Sequence, residues 1–134
     1  MIRRGTDEDW PVVAPMLQMA VDMSNGTYWL EDIKRFIDDG AMFLIVAEVD
    51  GEVVAAMVAE HVQYPRKSSL KLVFAGGSEM EKWADDLNAF MEVGARNVGA
   101  ELIEVHGRPG WARFLKSMFG ATSKTTIVAR EVAL

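Results

Sequence analysis

The dipeptide Asp50-Gly51, set between apolar runs at residues 42–49 and 52–62, does most to limit what this chain can fold into. Asp-Gly accepts the two positive-φ positions of a tight two-residue turn, so the flanking runs pair as an antiparallel hairpin. A loop over 64–68 then leads to a third run at 69–75, which extends the hairpin into a meander. Helical spacing surrounds this all-strand centre.

Before the hairpin, Val12, Val13, Met16, Leu17 and Ala20 recur at helical intervals. Thr6 or Asp7 serves as N-cap and Pro11 falls early, so the spacing predicts a helix to about Val21 behind a short strand at residues 1–4. Residues 22–27 read as a loop. Trp29, Ile33, Phe36 and Ile37 mark a shorter helix stopped by Gly40. After the meander, Gly76-Gly77-Ser78 is expected to break the strand and cap a long helix. Trp83, Leu87, Phe90, Met91, Gly94 and Val98 form its buried face, and Gly99 ends it. A strand at 101–106, a turn at 107–110, a short helix at 111–118 and a strand at 125–132 complete the chain. The expected fold is α/β (α+β): one domain over residues 1–134, with a mixed central sheet flanked by helices in the order β-α-α-β-β-β-α-β-α-β.

The charge balance of 20 acidic against 14 basic residues, net −6, argues against general nucleic-acid or membrane-surface binding and leaves room for a local basic patch. The lack of cysteine removes disulfides, thiolate metal sites and cysteine nucleophiles. No apolar run is long enough for a membrane span, and MIRRGTDEDW contains no secretory h-region, so the cytoplasm is the expected compartment. His61 and His106 stand in no metal-binding motif, and neither a G-x-S-x-G elbow nor a P-loop occurs.

Several residues are candidates for chemistry. Glu104 and His106 lie two apart on one predicted strand and share a face, where such a pair can deprotonate an amine. The competing reading is a solvent-facing polar pair. Glu60 and His61 point to opposite faces, so only one of them reaches a given cleft. Arg108 and Arg113 flank Trp111 at a Gly-Pro-Gly turn, a combination suited to a phosphate, an adenine ring or an acidic peptide. Alternatively, Trp111 packs inside and the arginines are solvated. Arg66, Lys67 and Lys71 form a second basic cluster, expected to be exposed. Tyr28 and Trp29 follow a Ser-Asn-Gly loop.

The element order, the opening IRRGTDEDW, the hairpin VAEVDGEVVAAMVAE and the tail GRPGWARFLKSMFGA together resemble the GNAT N-acetyltransferases over nearly the whole chain. The run GRPGWARFLK is also similar to small GNAT-like proteins of tailed phages. The resemblance implies an acyl-CoA, such as acetyl-CoA, held between strands 70–75 and 102–106, with contacts from Val73, Phe74 and Ala75. It implies a β-bulge amide near Val73–Phe74 that polarises the thioester, and a pyrophosphate on the amides of Gly76, Gly77 and Ser78. Arg108, Trp111 and Arg113 would supply further cofactor contacts. Glu104 or Glu60 would act as base, with His106 as a further candidate. The acceptor would be an amine on a small molecule or protein, and the chain a possible homodimer. The family's loop motif R-x-x-G-x-G appears here as AGGSEMEKW, without its basic residue and with Glu79 and Glu81 added. The family's tyrosine acid falls on Leu115 or Lys116. These departures support an alternative: a GNAT-fold binding or structural protein without acyl-CoA chemistry.

Overall fold

The computed structural model describes residues 1–24, 26–106 and 130. Among the described residues five strands form one sheet in sequence order: β1 (Ile2–Arg4), β2 (Phe43–Val49), β3 (Glu52–Gln63), β4 (Ser68–Gly77) and β5 (Leu102–Val105). The first four run antiparallel to their neighbours and β5 runs parallel to β4. A single 3₁₀ turn, Asp7–Asp9, leads into α1 (Trp10–Asp22), followed by α2 (Leu30–Asp38) and, between β4 and β5, α3 (Met80–Val98). This is the expected fold class and order. The expected helix at 111–118 and strand at 125–132 lie outside the described residues. No helix among the described residues is long and apolar enough to cross a membrane.

The turn chemistry behaves as the hairpin requires. Asp50 and Gly51 both hold positive φ, 53° and 81°, and Val49 pairs with Glu52 across a two-residue loop. Alternation along the strands then divides the core into two layers. On one face Ile45, Met57, Leu70 and Leu72 meet Trp83, Leu87 and Met91 of α3. On the other, Val46, Val58 and Phe74 meet Val13, Leu17 and Val21 of α1 and Ile33 of α2. Leu17, Ile33, Met57 and Leu72 are fully buried. Each contributes about 1.5–3 kcal/mol of apolar burial.

One boundary differs from expectation. Gly76 and Gly77 do not break the strand; they pair with Ala56 and Ala55 as its last two residues. The reason for glycine is close approach. A Cβ at Gly76 would lie 2.0 Å from the Met16 carbonyl oxygen of α1, and one at Gly77 would lie 2.4 Å from the Val54 carbonyl oxygen, at φ +126°. Gly77→Asp would therefore disturb the fold as well as any site beside it.

The sheet's first edge is tied down by charge. Arg3 donates to both Asp9 oxygens at 2.8 Å and, through Nε, to Glu48 at 2.7 Å. Donation by Arg3 outweighs burial and holds the Asp9 carboxyl far below the usual carboxylate range. A depressed folded-state pKa adds stability above the unfolded value, and that stability is lost as pH falls. Arg3→Gln should therefore be less stable than wild type at pH 7, with the difference narrowing below about pH 4. Urea melts at pH 7 and pH 3 check this; a difference unchanged by pH would contradict it.

Candidate functional site

The centre of the sheet is irregular at one place. Val58 of β3 faces Phe74 and its neighbour Ala59 faces Leu72, so Val73 of β4 is an extra residue, a β-bulge. Val73 and Phe74 both pack against the α1 layer. On the other side of β4, pairing with β5 runs from Ser69–Leu102 to Leu72–Val105 and ends with the His106 amide donating to the Leu72 carbonyl at 2.9 Å. From Val73 to Gly77, β4 therefore has no strand partner on that side among the described residues. An unpaired strand edge of this kind is the geometry to which an extended, amide-bearing ligand adds as a strand does.

That edge runs into a cleft of about 230 Å³ between the end of α1, the end of β4 and the start of α3. Met19, Met23, Met80 and Trp83 supply its apolar wall; Ala75, Gly76, Gly77 and Ser78 supply backbone. The Ser78 amide is already committed to the Val54 carbonyl at 2.9 Å, so it is not among the free donors. The N–H groups of Met80 and Glu81, in the first turn of α3, have no intrahelical acceptor, and the helix dipole makes this end attractive to anions. Glu79 does not stand as a bare negative charge here. Its carboxylate accepts from Lys82 Nζ at 2.7 Å. Lys82, in the first turn of α3, is the basic residue beside these amides; it follows the glycines, and its spacing of three residues from Glu79 is the signal the sequence offers for it.

On the α1 side of the sheet, before the bulge, the register builds a polar row. Glu60 of β3 is opposite Lys71 of β4, which is opposite Glu104 of β5. All three are partly exposed, and strand spacing places each about 5 Å from the next. Ser69, fully buried, and Tyr64 adjoin Glu104. Burial pushes the Glu104 carboxyl up, but the Ser69 and Tyr64 hydroxyls, Lys71 and His106 outweigh it, so its pKa lies below the ordinary value. Even so, Ser69 Oγ and Glu104 Oε1 are both buried without completing a hydrogen bond of full geometry. Lys71 Nζ sits 5.9 Å from the centre of the Tyr64 ring and forms no ion pair within 4 Å among the described residues. His106 is exposed at the end of the row, whereas His61 lies on the opposite face from Glu60.

Tyr28 closes the other side of the bulge, with its ring edge-on to Phe74 at 5.2 Å. It lines a cleft of about 380 Å³ between α1 and α2, together with exposed Trp29, Asp22 and Glu31. Arg66 and Lys67 are exposed in the β3–β4 loop, as expected. Arg108, Trp111 and Arg113, and the Leu115 and Lys116 positions, lie outside the described residues.

No family model matches the sequence, and neither does any curated protein. Solved structures match over essentially the full length. One is a ribosomal-protein-alanine N-acetyltransferase from Brucella melitensis biovar Abortus 2308, at 16% identity, TM-score 0.73, covering 98% of this chain and 99% of that one. Another is an aminoglycoside acetyltransferase from an uncultured soil metagenomic sample, in complex with sisomicin, at 15% identity, TM-score 0.68, covering 100% and 95%. A third is a GNAT family acetyltransferase from Staphylococcus aureus subsp. aureus, at 13% identity, TM-score 0.64, covering 98% of both chains. Identities of this size show the fold, and a fold hosts many chemistries.

Proposed function

We propose that this chain, which has the GNAT acetyltransferase fold, transfers an acyl group from acyl-CoA to an amine. The observation that carries this is the bulge at Val73, followed by a β4 edge that has no strand partner among the described residues and leads to the cleft at Gly76–Gly77 and the start of α3. The pantetheine amides would pair with that edge. The bulge amide would donate to the thioester oxygen, where negative charge develops as the amine attacks. The diphosphate would take the free N–H groups of Met80 and Glu81, with Lys82 exchanging Glu79 for a phosphate oxygen. Glu104 is the first choice as base: it stands in the polar row before the bulge, one strand from Lys71 and beside the Ser69 and Tyr64 hydroxyls. Glu60 lies two strands away in the same row, and His106 at its exposed end. The acceptor is an amine-bearing small molecule or protein. Sisomicin, the ligand named for one structural neighbour, is a practical first probe.

Calorimetric titration with acetyl-CoA and CoA tests the cofactor assignment. Binding should appear in the micromolar range, and ligand at 100 times Kd should stabilise the fold by about 2.7 kcal/mol. Lys82→Glu should weaken binding by about 10-fold or more, because it replaces a phosphate partner with a like charge and frees Glu79. No heat and no thermal shift at millimolar ligand would remove the transferase assignment and leave the alternative, a GNAT-fold protein that has lost acyl-CoA chemistry.

A further inference from the structure

We infer that Lys71 is itself an acyl acceptor, so that the chain acylates its own Lys71 Nζ from acyl-CoA; this rests on the proposed acyl-CoA site. Lys71 lies two residues before the bulge on the same strand, on the face toward which Val73 and Phe74 pack. Two residues of strand span about 7 Å, a distance that a flexible four-carbon lysine stem covers by changing rotamer. Its amine is the one placed for this among the described lysines. Lys34 is held by Asp38 and Lys82 by Glu79, while Lys67 is in the exposed β3–β4 loop. Among the described residues Lys71 has no ion pair within 4 Å to break, and its ring contact is with Tyr64. On either side stand Glu60 and Glu104, and the Glu104 carboxylate is a proton acceptor in the next strand.

The step balances without any further reactant. One ammonium proton passes to Glu104 and on to water, and the neutral Nζ attacks the thioester carbonyl carbon. The C–N bond forms and the C–S bond breaks. The second proton leaves the new amide nitrogen and ends on the CoA thiol. The product carries no charge at Lys71, so Glu60 and Glu104 lose the cation between them.

Incubating the full chain with acetyl-CoA and mapping its peptides by mass spectrometry tests this. The expected result is a gain of one acetyl group at Lys71, at a first-order rate independent of protein concentration. Lys71→Arg should abolish that gain, and Glu104→Gln should slow it by about 10²-fold. The same chain unfolded in urea serves as the non-enzymatic baseline, so the comparison holds even where a variant folds poorly. If acetyl-CoA binds by calorimetry but Lys71 is modified no faster than in the unfolded chain, the inference is overturned while the transferase assignment stands. If acetyl-CoA does not bind, both fail.

Discussion

Gly76→Ala is expected to lower the unfolding free energy by about 3 kcal/mol, a large share of the stability of a domain this size. The new methyl group would lie 2.0 Å from the Met16 carbonyl oxygen and 2.8 Å from its carbon, both backbone atoms of α1. Neither can move without shifting the helix that carries Val13, Leu17 and Val21 into the core. Gly94 provides the contrast. A Cβ there would meet only Leu70 Cδ2, at 3.3 Å, and alanine suits a helix interior better than glycine by about 1 kcal/mol. Gly94→Ala should therefore fall within about 1 kcal/mol of wild type, of either sign. Urea denaturation of both variants measures the difference; a Gly76→Ala midpoint close to wild type would contradict the close α1–β4 packing.

Glu104→Gln is expected to lower kcat for acyl transfer by about 10²- to 10⁴-fold while leaving acetyl-CoA affinity unchanged. Glutamine keeps the size and the Ser69 and Tyr64 neighbours but takes up no proton. Because the Glu104 carboxyl lies below its ordinary value, it stays charged from mildly acidic pH upward. Its own titration therefore leaves the rate untouched from neutral pH down to the ordinary glutamate range, and protonating it costs activity only at more acidic pH than for a free glutamate. Thiol release from acetyl-CoA, with sisomicin and simple primary amines as acceptors, reads this out. Wild-type turnover in the Gln variant would move the base to Glu60.

The sequence carried the architecture because each signal for it is local. Asp50-Gly51 fixes the hairpin within two residues, and the spacing of Val13 and Leu17, or of Trp83, Leu87 and Met91, fixes which helix face is buried. The site was less legible because it depends on contacts far apart in sequence. Gly76 and Gly77 read as a break, the usual meaning of a glycine pair, but Gly76 is constrained by the carbonyl of Met16, some 60 residues earlier, and Gly77 by the Val54 carbonyl on the neighbouring strand and its own positive φ. The Glu60–Lys71–Glu104 row requires the register of three strands, including the bulge at Val73 that sets which residues share a face beyond it. No periodicity contains that information. Glu104 was legible as a candidate, but its burial was not, since that appears only once Ser69 and Tyr64 are placed beside it. Lys82 was overlooked for the opposite reason: its contact is local, but it falls outside the glycine motif being sought.

Amide chemical-shift mapping during a titration of the ¹⁵N-labelled chain with CoA tests the central claim most directly. The largest shifts should fall on Val73, Phe74 and Gly77 along the β4 edge beyond the bulge and on Met80 and Glu81 at the start of α3, with β1 and the Asp50-Gly51 turn unmoved. Shifts confined to the α1–α2 cleft around Trp29, or no shifts at millimolar CoA, would contradict it.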